Sequence, residues 1–299
     1  MLSFKLISPT VLFPLLLLLG IAEAANRFHG MAASNSAPNG DYRCRTQAEW
    51  NSLANNARSN GFQSIRIIGF DCNALDLASS AAAANGLTIM AGIWFSGTVA
   101  ANMVQINNEV QVFRAAHGKW GAGRYKALTI GNEAADSAAN VAAKVDDVRG
   151  YLRSIGINTP VATVHHWVAI RDNPGNLCRG DFVGANAHAF FDGNVAANAA
   201  GDFVFGTIVP ALRSACPGKS IIITETGWPS RGASNGRAVP SVANERAALI
   251  NLNCAASRDT SVQVYAFEAD DQTWKGNDVE RSFGIFGKIT LNGDVFNNC

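Results

Sequence analysis

Residues 220–230 read Ser-Ile-Ile-Ile-Thr-Glu-Thr-Gly-Trp-Pro-Ser. Three consecutive isoleucines leave a strand no polar face, as expected for a strand covered on both sides of a parallel sheet. Glu225 stands directly after that run, where burying a carboxylate is costly unless it is paired or used. Gly227 and Pro229 then punctuate the chain. Runs of the same β-rich kind recur at 28–33, 64–70, 87–93, 127–130, 160–164, 182–187, 220–224 and 261–267, which predicts eight strands.

Helical patterns lie between most of these runs. Thr46 and Glu49 form a capping box before Trp50 and Leu53, and Gly61 follows as a stop. Val141, Val145, Val148, Leu152 and Ile155 share one helical face that Gly156 ends. A third helix is predicted over 241–257. Between the fifth and sixth strands, residues 169–180 contain Pro174-Gly175 and leave room only for a short or irregular helix. The alanine-rich stretches 81–84 and 195–200 read as surface helix or loop. Strands alternating with helices predict an α/β fold, a (β/α)8 TIM barrel, as a single domain. An open doubly wound sheet would carry a glycine-rich phosphate loop after its first strand. Here the first run leads into Ser34-Asn35-Ser36-Ala37-Pro38.

Composition excludes several classes. The chain has 299 residues, 48% hydrophobic and 16% charged, which is too apolar for a disordered chain. Its net charge is +1, so no basic excess exists to neutralise nucleic acid. Lys5, the leucines 15–19 and Ala22-Glu23-Ala24 form a secretory signal peptide over 1–24, leaving 25–299 as the barrel domain. The apolar run is too short for a transmembrane anchor. In the oxidising compartment this implies, the cysteines 44, 72, 178, 216, 254 and 299 are disulfide candidates. Six cysteines allow fifteen pairings and the sequence does not choose among them. A sequential set, Cys44–Cys72, Cys178–Cys216 and Cys254–Cys299, is the working assignment. The lack of a Cys/His spacing set argues against a metal at His165-His166, and no cofactor is expected.

Barrel active sites form where the C-terminal strand ends meet the loops. Asp71, Trp94, Asn132, Glu133, His165, His166, Trp167, Asn186, His188, Glu225, Glu268 and Asp271 all fall at such places. Glu133, in Thr-Ile-Gly-Asn-Glu after the fourth run, and Glu225, after the seventh, come from opposite sides of an eight-stranded ring. Two carboxyl groups facing one substrate suit glycosidic cleavage, one as proton donor and one as nucleophile. The competing reading of Glu133 is a helix-start glutamate favoured by the macrodipole. Trp94, Trp228, Trp274 and Phe190 are candidate platforms for apolar sugar faces, or ordinary rim packing.

The run Thr-Glu-Thr-Gly-Trp-Pro-Ser at 224–230 resembles the nucleophile signature of glycoside hydrolase family 17, the β-1,3-glucanases. Supporting resemblances are Ile-Gly-Asn-Glu at 130–133, Arg-Ile-Ile-Gly-Phe-Asp-Cys at 66–72, Gly-Ala-Asn-Ala-His at 184–188 and the eighth-strand region around Phe267-Glu268-Ala269 and Trp274-Lys275. The chain looks most like the fungal wall-enzyme branch. The resemblance implies a retaining mechanism with Glu225 as nucleophile and Glu133 as general acid/base. It places Asn132 at the sugar 2-hydroxyl, and Glu268, Asp271 and Lys275 in a cluster that charge-balances the site. Asp71, Asn186, His188, Trp228 and Trp274 complete the expected substrate contacts. For both roles at one pH the nucleophile must titrate below the acid. Asp270 and Gln272 depart from the family pattern, which has phenylalanine and glutamate there. The expected protein is a secreted or cell-wall monomer that cleaves β-1,3-glucan. Transfer between glucan chains, or exo-acting cleavage, is the alternative, and a non-catalytic glucan-binding wall protein is the reading from another class.

Overall fold

A computed structural model describes residues 25–38 and 40–299; the predicted leader, 1–24, lies outside the described residues. Eight strands close into a parallel barrel in sequence order. They are β1 (Gly30–Ala33), β2 (Ser64–Ile67), β3 (Thr88–Ile93), β4 (Tyr125–Asn132), β5 (Val161–His166), β6 (Val183–Asn186), β7 (Ile221–Thr226) and β8 (Gln263–Ala266). The (β/α)8 barrel predicted from the apolar runs is therefore present, and β1 pairs with β8 to close it.

Helices α1 (Gln47–Ser59), α2 (Ala74–Ala84), α3 (Met103–Trp120) and α4 (Ala138–Ser154) follow the first four strands. Two short helices, α5 (Trp167–Asp172) and α6 (Pro174–Leu177), fill the β5–β6 connection, as Pro174-Gly175 requires. A bent run of α7 (Ala200–Phe203), a π turn (Val204–Ile208) and α8 (Val209–Ala215) leads to β7, and α9 (Val242–Arg258) leads to β8. The Thr46/Glu49 capping box is formed in full. Two expectations need correction. Ile155 is the C-cap of α4 and is exposed, because the helix ends before its side chain reaches the buried face. Ala81, Ala82, Val195, Ala197 and Ala200 are buried rather than superficial; side chains this small let their segments approach the barrel closely.

The barrel floor is packed by Met90, Ala127, Ala162, Phe182, Ile222 and Tyr265. Tyr265 donates to Ser64 Oγ at 3.0 Å across it. At Gly30 any Cβ would run into the Tyr265 ring, so glycine is what admits a tyrosine there. The larger cluster fills the shell between strands and helices. The three sequential disulfides are formed. Cys44–Cys72 ties the β1–α1 loop to the segment after β2.

At the rim several strands run further than the apolar runs suggest. β4, β5 and β7 extend to Asn132, His166 and Thr226. Pairing shifts register near these ends, between β4 and β5, β6 and β7, and β7 and β8. Such irregularities re-aim side chains at barrel rims, and here they keep Asn132 and Glu225 within the ladder.

Candidate active site

Glu225 pairs in register with Asn186 of the neighbouring strand, and its backbone carbonyl accepts from Ala187 N at 2.8 Å. The residue is 6% exposed. Arg66, almost fully buried on β2, donates to Glu225 Oε1 at 2.6 Å. His188 Nε2 stands 3.3 Å from Oε2. Burial works to raise this carboxyl's pKa, but the Arg66 guanidinium and then His188 outweigh it and hold Glu225 down at about 2. The group is ionised across the working range of any ordinary enzyme.

Arg66 reaches further. Its second amino group donates to Asn132 Oδ1 at 2.8 Å. The amide of Asn132 makes no donor contact among the described residues and remains available to a ligand. Asn186 Nδ2 also reaches Asn132 Oδ1, at 3.3 Å, and donates to Glu133 Oε1 at 2.9 Å. Thr224 Oγ1 donates to Asn186 Oδ1 at 2.8 Å and so fixes which face of the amide meets Glu133. A continuous chain of polar contacts thus runs from Glu225 through Arg66, Asn132 and Asn186 to Glu133.

Glu133 follows β4 directly. Its N–H donates to the Val164 carbonyl of β5 at 2.8 Å, while its φ of 52° puts a non-glycine residue in the left-handed region. Gly131, two residues earlier, also has positive φ. This conformation lifts the side chain off the strand end into solvent contact, and outliers of this kind concentrate at functional sites. Helix α4 begins only at Ala138 with Ser137 as its N-cap. Glu133 is therefore outside the first helical turn, which removes the helix-start reading.

Both glutamates line one cleft of about 550 Å³, together with Asn186 and His188. The cleft continues over the β5 and β6 ends along His166, Trp167, Phe191, Asp192 and Phe203, with Phe267, Glu280 and Phe283 on the β8 side. His188 is boxed edge-on by Phe267, Phe283 and Phe191, with ring centroids 5.0, 5.4 and 5.9 Å away.

Other expected contacts lie elsewhere. Trp228 is fully buried, donates its indole N–H to the Val239 carbonyl and packs edge-on against Phe190, so neither ring offers a sugar platform. The next residue, Phe191, is exposed and lines the cleft instead, packed edge-on against Phe190. Glu268 and Lys275 form an ion pair at 2.7 Å that does not line the cleft. Burial pushes Glu268 up to about 7 despite Lys275, and nearby Glu225 adds to the rise. Asp271 is held by Lys288, Arg231 and the N–H of Gly284, which makes it an anchor of its own loop. Asp71 accepts from Asn35 at 2.7 Å and from the Tyr42 hydroxyl. Trp274 lies edge-on to Tyr42 at 5.0 Å and stays 41% exposed, with Trp94 also exposed on the rim. Asp270 pairs with the buried Arg45 at 2.7 Å, and Gln272 accepts from the Trp274 indole; each departure from the family pattern has a partner. His165 is buried, its pKa lowered to about 4 by burial and then by His166. Among the described residues, no group of three His, Cys, Asp or Glu side chains is placed to hold a metal.

Arg66 is absent from the expected substrate contacts, although one signal pointed to it. A lone arginine inside Ser-Ile-Arg-Ile, on a strand otherwise apolar, needs a buried counter-charge. Trp167 stands among the strand-end residues of the sequence though not among its expected substrate contacts; Phe203 and Glu280 carry no comparable signal, since loops from different strands bring them into the cleft.

Two carboxyl groups thus open on one cleft at the C-terminal rim of a parallel barrel, where barrel active sites form, and one of them is held ionised. Residues 30–284 match the BtgE/BtgC glycoside hydrolase domain, and the chain belongs to that family. It is 34% identical over 240 residues to the cell surface mannoprotein MP65 of Candida albicans, covering 77% of this chain and 60% of that one. It is 32% identical to the probable family 17 glucosidase SCW10 of Saccharomyces cerevisiae, covering 75% and 57%. The chain thus spans less than two thirds of either relative. Among solved structures, the glycoside hydrolase family 17 β-1,3-glucanosyltransferase of Rhizomucor miehei superposes with a TM-score of 0.72 at 24% identity, covering 86% of this chain and 92% of that one. An active-site mutant of that enzyme is known in complex with laminaritriose.

Proposed function

We propose that the protein is a retaining glycosidase acting on β-1,3-glucan. The observation that carries this reading is the polar chain that links Glu225 and Glu133, two carboxyl groups that open on one cleft. Glu225 attacks the anomeric carbon, forming a carbon–oxygen bond as the glycosidic bond breaks. Glu133 gives its proton to the departing oxygen. In the second half Glu133 takes the proton of an incoming hydroxyl, whose oxygen displaces Glu225 and restores the free carboxylate. Asn132 holds the sugar 2-hydroxyl beside the nucleophile, a role supported by its unused amide N–H groups and by its link to Glu225 through Arg66. His188 steadies Glu225, and Trp274 and Trp94 are rim platforms for more distant sugars.

The acceptor is water in hydrolysis and a second glucan chain in transfer. Transfer is favoured by one observation. The cleft that holds both glutamates is also walled by Trp167, Phe191 and Phe203, aromatic faces of the kind on which an acceptor sugar stacks. Likeness to a named β-1,3-glucanosyltransferase supports the same reading. We further propose that residues 1–24 are a cleaved signal peptide and that the protein works as a monomer at the cell surface or wall, in keeping with a relative named as a cell surface mannoprotein. Among the described residues no helix is long and apolar enough to cross a membrane.

Product analysis on a defined laminari-oligosaccharide tests both outcomes. Products longer than the starting sugar mean transfer, and shorter ones alone mean hydrolysis. Binding without any turnover would replace the enzyme by a glucan-binding wall protein.

A further inference from the structure

One ammonium group joins three segments behind the rim, and none of its partners lines the cleft. Lys288 Nζ donates to Ser230 Oγ at 2.7 Å, to Asp271 Oδ1 at 3.0 Å and to the Ser282 carbonyl at 3.1 Å. It also stands 3.2 Å from Glu245 Oε2. Glu245 lies on α9 and is fully buried, and neither of its oxygens accepts a hydrogen bond among the described residues. Burial raises its pKa to about 8, Lys288 opposing. A buried carboxyl group with so little hydrogen-bond support is an expensive feature unless it secures something. What it faces is the Lys288 ammonium.

That ammonium bridges the segment after β7 and the loop after β8, which also touch directly through Ser230 Oγ to the Ser282 carbonyl at 3.0 Å, Arg231 N to Ser282 Oγ at 3.2 Å and Ser282 Oγ to the Arg231 carbonyl at 3.0 Å. Ser230 stands five residues beyond Glu225 and also donates its N–H to the Ser282 carbonyl at 2.9 Å. Phe283 follows Ser282, accepts from Glu268 N at 3.0 Å and presents its ring to His188. His188 in turn stands against Glu225. Displacing the 282–283 backbone therefore moves one wall of the aromatic box around His188.

We propose that Lys288 is a positioning residue for Glu225: it clasps Ser230 to Ser282 so that Phe283 keeps His188 against the carboxylate. This inference rests on Glu225 being the nucleophile. The test uses Lys288→Met and Ser230→Ala in the full chain, each followed in two ways. Turnover of laminari-oligosaccharides is separated into kcat and KM, and the ring-proton NMR signals of His188 are recorded, assigned by their loss in His188→Gln. Lys288→Met lowers kcat about tenfold or more, equivalent to about 1.4 kcal/mol, with KM within about twofold of wild type, and the His188 signals move. Ser230→Ala leaves Glu245 paired with Lys288 and shifts both readouts in the same direction by less, at an unchanged melting temperature. Folded Lys288→Met with wild-type kcat, or with His188 signals in their wild-type positions, overturns the proposal. If Lys288→Met does not fold, unmoved kcat and His188 signals in Ser230→Ala overturn it instead. Absence of turnover in the wild type would sink the glucanase reading, while the NMR comparison still decides whether Lys288 places His188.

Discussion

At the end of β7, Glu225 is buried, gripped by Arg66 and His188, and held far below the ordinary carboxylate range. At the end of β4, Glu133 is exposed, sits on a left-handed backbone and keeps one amide contact, from Asn186. The difference fits the chemistry proposed for each. A nucleophile must stay charged and point in one direction, which needs a fixed counter-charge in a site shielded from water. A group that gives a proton and takes one back needs access to the acceptor and only light tethering. Glu268, just beyond β8, shows what burial does without an arginine: its pKa rises to about 7 even beside Lys275.

The sharpest way to break the comparison is to remove each carboxylate. Glu225→Gln should lower reducing-sugar release from laminarin by on the order of 10⁴-fold or more, with the fold intact by circular dichroism. Glu133→Gln should lose about 10²–10⁴-fold on glucan, yet recover on an aryl glycoside whose leaving group needs no proton. Failure of that recovery would remove Glu133 from the proton-donor role.

Arg66→Met asks whether the contrast is electrostatic. Glu225 titrates at about 2 in the folded protein and near 4.5 when unperturbed. Its contribution to stability is present above pH 4.5 and is lost as pH falls toward 2. Without Arg66, burial is opposed chiefly by His188, so the acidic limb of the kcat/KM profile moves to higher pH. Stability drops by about 3–5 kcal/mol, the usual consequence of leaving a buried charge unpaired. An unmoved acidic limb in a folded variant would mean that Arg66 does not set the charge of Glu225.

A smaller effect is expected at Glu245, whose net shift has the opposite sign. The folded state keeps that proton up to about 8 and the unfolded chain releases it near 4.5. Its contribution to stability is therefore fully present below pH 4.5 and is lost as pH rises toward 8. Glu245→Gln should flatten the decline in stability between those limits, as read from urea unfolding at about pH 5 and about pH 8. An unchanged slope would show that Glu245 ionises normally in the fold.

The eight strands were legible because a strand buried on both faces cannot hide its composition; Ile221-Ile222-Ile223 admits few other readings. The two glutamates were legible for the complementary reason, as charges placed directly against such runs. Ends of strands were less so. Register shifts between paired strands depend on partners far away in the chain, and these shifts decide that Asn132 and Glu225 remain within the ladder.

The sequence by itself determined the barrel, its closing helices and the pair of acids on its rim, since local pattern and burial are written into each segment separately. Tertiary structure alone decided that Arg66 belongs to Glu225, that Phe191 rather than Phe190 or Trp228 faces the cleft, and that Asp271 serves Lys288 rather than the cleft. Those assignments depend on side chains from separate strands meeting within about 3 Å for a hydrogen bond, or on which way a turn aims adjacent rings. Neither has a counterpart in spacing along one chain.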